Sequence, residues 1–395
     1  MKKLVLFIIG VTFQISSAQI INFPDLNFKN ALLDLQINYD SNGTIFPMID
    51  LNNDDEITQA EAQLVQKLNL SYAELNDLTG LQFFINLRSF DSLFFNGSSF
   101  NFPGLINLEN LTLSNAVTGQ SNLVTINLSS NINLKTVSCY TNANTINLSN
   151  LTQLTNLTLY GNFTSLNIND SENLLFLNIS APLNSLNLSN NTKLININLA
   201  GTTFSNLDLS ACLNLEIIEV SNGEMQTLNL GNLKHVRYLF VPNNRLTSLN
   251  ANNFFNLEFI NCQNNLLTNL FLENGTIEQS IDFSGNPNLA SICCDANEIV
   301  YIQNDCNILG YNSTVSNCTS SARQISMFPN PVKNQLHLSA GENIEKVEFF
   351  TSHGLLIMTS TDANNPIDME NIPSGMYFIK VYVANDVTEM KVIKL

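Results

Sequence analysis

Six residues between Asp50 and Glu61 carry oxygen at the spacing of a calcium loop. In such a loop, positions 1, 3, 5, 9 and 12 offer side-chain oxygens and position 7 offers its backbone carbonyl. Asp50, Asn52, Asp54, Glu56, Thr58 and Glu61 take those places in order, and Ile57 fills the apolar position between Glu56 and Thr58. Two departures weaken the match. Asp55 stands where glycine usually makes the sharp turn, although Asp tolerates left-handed backbone better than most residues. Phe46-Pro47 precedes the loop, and the residue before a proline avoids helix, so only the outgoing helix, at 58–67, is expected. The expectation is one structural calcium ion, held weakly, on the order of 10⁻⁴–10⁻³ M as in extracellular modules. The plainer alternative is an acidic turn that caps a helix.

A second set of residues suits binding rather than reaction. Phe176, Ile217, Tyr238 and Phe259 share one phase of the repeat described next, with Phe240 beside them. Arg237, Glu216, Glu219 and Glu258 flank the row. Aromatic rows on an outward face are hard to explain by folding alone and tend to mark ligand contacts. Reactive groups are sparse: the histidines are His235, His337 and His353, and there is no G-x-S-x-G, H-E-x-x-H or glycine-rich phosphate loop. The chain is read as non-catalytic.

The elements that must position these residues come from a repeat. The motif L-x-x-Φ-x-Φ, with Φ apolar, starts at Leu134, Leu154, Leu174, Leu194, Leu215, Val236 and Leu257, at steps of 20, 20, 20, 21, 21 and 21 residues. A degraded copy keeps Ile281 and Phe283, a last copy begins at Leu289, and a looser one begins at Leu108. A fixed period with this motif predicts a leucine-rich-repeat solenoid. Each unit adds a second alternating piece, Φ-N-Φ-S, as in Ile126-Asn127-Leu128-Ser129 and Leu186-Asn187-Leu188-Ser189. Period-two alternation predicts a second short strand. Two strands and their corners in about 20 residues leave little room for a helix, so the fold expected is mainly β. Asn127, Asn147, Asn167, Asn187, Asp208, Asn229 and Asn250 share an outward column there, which predicts a ladder of stacked amides. The alternative for that column is a flat polar ligand face. Cys139, Cys212 and Cys262 fall at inward positions and read as small apolar core residues.

Composition bounds the partners. The chain has 395 residues and a formal charge of −17, with no Lys/Arg cluster, which argues against nucleic acid. Residues 1–18 read as a signal peptide: Lys2-Lys3, a short apolar run and Ser16-Ser17-Ala18 before Gln19. That run is too short to span a bilayer. Export permits disulfides, and Cys293, Cys294, Cys306 and Cys318 cluster after the last repeat with their pairing open. Residues 19–78 are expected to form an N-terminal cap holding the EF-hand-like acidic loop. The solenoid is expected at 79–294, a cysteine-containing C-terminal cap at 295–318 and a linker at 319–326.

Residues 327–395 change character to short alternating strands with turn signals, the pattern of a small Ig-like β-sandwich. The marks are Phe328-Pro329-Asn330-Pro331, Gly354, Ile372-x-x-Gly375-x-Tyr377 and Lys391-x-Ile393-Lys394. Together they resemble the C-terminal sorting domain of the type IX secretion system of Bacteroidetes. The start Phe23-Pro24-Asp25-Leu26-Asn27-Phe28 and the Asn-rich repeats are similar to exported leucine-rich-repeat proteins of the same bacteria. The resemblance implies recognition of residues 327–395 by the type IX machinery at the outer membrane, then surface anchoring or release. A binding protein for a protein or glycan ligand is the leading functional expectation. A structural or adhesive rod that acts as spacer is the alternative.

Overall fold

The computed structural model describes residues 19–34, 38–39, 45–46, 48–115, 123–317, 325–340, 344–351, 354–361, 365–383 and 386–395. The signal-peptide reading, Cys318 and most of the expected linker lie outside the described residues. The chain divides into two compact units between Leu154 and Thr155. Each is mainly β and carries coils of the leucine-rich-repeat type.

In the first unit, helix α1 (Leu26–Leu33) opens the cap. Asp25 caps it by accepting from the Asn27 and Phe28 amides through Oδ1, while its Oδ2 accepts from Asn76 and Asp77 at 2.7 and 3.1 Å. Burial works to raise the Asp25 pKa, but these four N–H groups together hold it lowered. Helix α2 (Gln59–Ala62) follows the acidic loop. It is shorter than expected because the chain must straighten into Lys67–Asn69, the first strand of a parallel sheet. That sheet continues through Ser89–Ser92, Asn110–Ser114 and Thr136–Tyr140. The coils therefore begin some residues before the expected boundary at 79. A second parallel sheet joins Ser99–Asn101, Thr125–Asn127 and Thr145–Asn147.

In the second unit the register runs Asn156, Phe176, Asn196, Ile217, Tyr238, Phe259, Ser280, one rung per coil. The L-x-x-Φ-x-Φ residues face inward: Leu257, Ile260 and Cys262, for example, are buried. Each large aliphatic side chain so buried contributes about 1.5–3 kcal/mol. The second strands form one pair, Asn206–Asp208 with Thr227–Asn229, and one sheet of four: Ser248–Asn250, Asn269–Leu272, Ser291–Cys294 and Thr314–Ser316. The last of these lies in the expected cap, so the ladder outlasts the repeat motif. Leu186-Asn187-Leu188 was expected to be a strand but makes no regular ladder; Leu188 still packs inward. Helix α3 (Ile299–Leu309) covers the end, and Gly310 closes it at φ 72°. Cys293 is disulfide-bonded, whereas Cys294 and Cys306 are buried free thiols. Cys139, Cys212 and Cys262 are also buried and free, and burial alone pushes the Cys139 thiol up to about 12, so it is inert as a nucleophile.

The expected amide ladder is displaced to another corner. At the second-strand position of each coil the column residue turns its side-chain oxygen back on its own coil. Asn127, Asn147, Asn167, Asn187, Asp208, Asn229 and Asn250 each accept from the backbone amide two residues on, at 2.9–3.2 Å. One direct rung, Asn229 Nδ2 to Asp208 Oδ1, measures 3.1 Å. The continuous ladder sits after the first strand. There Asn243 donates to Asn222 and Asn264 donates to Asn243, both at 2.9 Å. These three residues share a left-handed corner, at φ 54–56°, with Gly201 and Gly285. Gly, and after it Asn and Asp, adopt that conformation at least cost.

Residues 325–395 form two antiparallel sheets. One joins Ser326–Phe328, Gln335–Ser339 and Ile367–Asp368; the other joins Leu356–Ser360, Ile344–Thr351, Gly375–Val383 and Asp386–Lys394. Val347, Phe349, Ile379, Val381 and Val392 fill the space between them. Among the described residues no helix is long and apolar enough to cross a membrane.

Candidate functional site

The aromatic row lies on the outward face of the first sheet of the second unit. Strand alternation puts Ile218, Leu239 and Ile260 inward and their neighbours Ile217, Tyr238 and Phe259 outward. Because the pairing is parallel and in register, Ile217, Tyr238 and Phe259 stand on adjacent rungs. The Tyr238 and Phe259 rings stack with centroids 5.4 Å apart and planes 8° from parallel. Phe240 lies beside Tyr238, centroids 6.3 Å apart. Phe176 stands two coils earlier, separated from Ile217 by Asn196. Phe176 is 43% exposed; the others are half-buried, because they cover one another. The row is thus a partly shielded apolar stripe with one open ring.

Arg237 sits at the edge of the stripe. Its guanidinium lies 5.3 Å from the Tyr238 ring centre and 2.6 Å from Glu258 Oε1. The hydrogen bond and charge of Glu258 raise the Arg237 pKa above its usual value. Tyr238 donates its hydroxyl to Glu258 Oε2 at 3.4 Å. Glu219 accepts from Asn198 at 2.9 Å. Glu216, His235, Arg237, Phe255, Glu258 and Ile277 line an open depression next to the stripe. The arrangement offers flat aromatic faces, a cation and carboxylates, which is the equipment of an interface. No closed, water-excluding cleft for acid–base chemistry forms at this face.

The acidic loop closes on itself. Asp50 is 4% exposed and accepts from the Asn53, Asp54 and Asp55 amides at 2.7, 3.3 and 2.9 Å. Glu61 accepts from the Leu51 amide, the Thr58 amide and the Thr58 hydroxyl at 2.9, 2.8 and 2.7 Å. Asn52 donates to Asp54 Oδ2 at 2.8 Å, and Glu56 pairs with Lys29 at 2.8 Å. Asp55 adopts the left-handed turn, φ 61°, that the glycine position requires. The loop order is therefore kept, but its carboxylates face amide and ammonium donors. Among the described residues no three His, Cys, Asp or Glu side chains converge on a common metal position. In this conformation Thr58 and Glu61 form a capping box, and the loop is stapled to residues 19–21, where the Ile21 amide donates to the Ile57 carbonyl at 2.9 Å.

Sequence reasoning missed an inner spine of asparagines. Asn244, Asn265 and Asn286 are buried, and each donates Nδ2 to three backbone carbonyls of its own and the preceding coil. Their Oδ1 atoms accept from Met225, Leu246 and Leu267 amides. The signal was present, since each follows the last Φ of its motif by three residues.

The sorting marks also converge. Asn330 donates to the Lys391 carbonyl and accepts from the Ile393 amide, both at 2.9 Å, and the Tyr377 hydroxyl donates to the Pro373 carbonyl at 2.8 Å. The family model of the secretion system C-terminal sorting domain matches residues 326–395. No curated protein matches in sequence. Among solved structures the chain is similar to a leucine-rich-repeat protein of Leptospira interrogans, 18% identical over 66% of this chain and 74% of that one, with a TM-score of 0.44. It is also similar to an internalin of Listeria monocytogenes, 14% identical over 75% of this chain and 92% of that one, with a TM-score of 0.38. A plant ice-binding protein is 16% identical over 69% of this chain and 98% of that one, with a TM-score of 0.39. Residues 326–395 are a type IX secretion C-terminal sorting domain, which addresses the coils ahead of it to the outer-membrane surface or the extracellular space.

Proposed function

We propose that the protein is a non-catalytic binder that engages a protein or glycan partner through Phe176, Ile217, Tyr238, Phe240, Phe259 and Arg237. The observation that carries this reading is the stacked Tyr238–Phe259 pair beside Arg237 on an outward sheet face. Nothing in the coil needs aromatics there, since the inward residues alone fill the core. Stacked rings with a guanidinium at their edge suit either a sugar ring or an apolar side chain with a nearby carboxylate.

The test is capture of surface glycans and proteins by the intact secreted chain and by Phe176→Ser, Tyr238→Ser and Phe259→Ser variants. Binding is expected to weaken at least about tenfold in the Tyr238 and Phe259 variants, as for central hot-spot residues. Melting temperature should hardly change, because the rings are not core. A variant carrying all three substitutions that binds as well as the parent sinks the proposal. If that same variant also adheres to cells normally, the spacer reading takes its place.

A further inference from the structure

The repeat motif fails chemically at one inward position. In successive coils the first residue of L-x-x-Φ-x-Φ is Leu215, Val236 and Leu257, all buried. In the next coil that residue is Glu278, ahead of Ile281 and Phe283. A carboxylate thus occupies a leucine's place in the core and is 6% exposed. Facing it is Glu298, 3% exposed, the residue that leads into helix α3. The Glu278 amide donates to Glu298 Oε1 at 3.4 Å, which brings the two glutamates together, and the Oε2 atom of each is buried without a donor. Burying one unpartnered carboxylate is costly, and burying two side by side costs more.

Something positive must lie between them. Neighbouring oxygens are already engaged. Glu278 Oε1 accepts from Asn274 Nδ2 at 2.6 Å. Glu298 Oε1 accepts from the Glu278 amide at 3.4 Å. Asp295 Oδ2 accepts from the Asn274 and Gly275 amides at 3.2 and 2.8 Å. A calcium ion wants about six to eight oxygens. One free oxygen from each glutamate remains, which suits a single proton held in a carboxyl–carboxylate hydrogen bond.

We propose that Glu298 keeps a proton that it donates to the Glu278 carboxylate, and that this proton is a pH-sensitive latch holding the C-terminal cap on the last coils. The titratable groups around the pair are Glu273 and Asp295, both acidic, and the Cys294 thiol. None supplies positive charge, so the proton is the counter-charge. Burial, then the Glu278 carboxyl and the Asp295 charge, push Glu298 up to about 8 from an ordinary 4.5. Between these values the folded cap keeps a proton that the opened chain gives to water. Stability linked to this proton is complete below the lower value, falls as pH rises, and is gone above the upper one.

Hydrogen exchange on the intact chain, corrected for intrinsic rates, tests the latch at the α3 amides. Opening of α3 is expected to rise by up to about tenfold per pH unit between roughly pH 5 and pH 8, the slope of one linked proton. Glu298→Gln keeps the shape and removes the titration, so its opening should be flat over that range. Glu278→Leu restores the apolar position and should be flat as well, with a higher melting temperature; it also serves if Glu298→Gln fails to fold. A parental slope persisting in either variant overturns the proposal. So does millimolar calcium restoring full protection to the parent at pH 8.5, which assigns the pair to a cation.

Discussion

Asp50 shows how little a spacing rule says about what its oxygens will meet. The order Asp50, Asn52, Asp54, Glu61 is a calcium order, yet the Asn53, Asp54 and Asp55 amides point at Asp50. Which lone pairs of a carboxylate the loop amides take is set by backbone dihedrals that spacing does not encode. Asp55 at φ 61° was legible as a tolerated left-handed residue, and the turn of Glu61 onto Thr58 is the helix cap that the sequence offered as the plainer alternative. Asp50→Ala removes a buried acceptor of three N–H groups and should destabilise the cap by about 2–3 kcal/mol. The loss should be the same in calcium and in chelator, read from melting of the first unit. A calcium-dependent rise in melting confined to the parent would assign the loop an ion.

Within one coil, the inward face was readable almost residue by residue, because L-x-x-Φ-x-Φ is a strand period and burial is non-directional. The corners were less readable. Asparagine is abundant on this chain, and its three roles cannot be separated by composition. Asn250 closes a turn on its own coil, Asn243 links neighbours at a left-handed corner, and Asn265 feeds buried carbonyls. Phase separates them only once the strand start is known. Of the three, the buried set should matter most. Asn265→Ala leaves three carbonyls and the Leu246 amide short of a partner and should cost on the order of 3 kcal/mol. Asn250→Ala should cost under about 1 kcal/mol, because water reaches that turn. Chemical denaturation of the two variants compares them directly, and equal losses would contradict the spine's role.

On the scale of the whole chain, two folded regions answer different needs: coils that repeat a surface and an antiparallel domain that carries an address. Deleting residues 326–395 should leave the coils folded and protease-resistant but retained inside the cell envelope, seen by fractionating cells and medium. Normal delivery of the truncated chain would remove the sorting role. The repeat period, the mainly β class and the sorting marks were determined by the sequence alone, since each rests on local periodicity or on a contiguous motif. Only the tertiary structure decided what the polar groups do. It stacked Tyr238 on Phe259 through parallel register, turned the acidic loop onto its own amides, and set Glu278 against Glu298 across residues distant in sequence. Apolar residues need only be inside, which a pattern can say; a polar atom needs a particular partner at a particular distance, and only the folded chain supplies it.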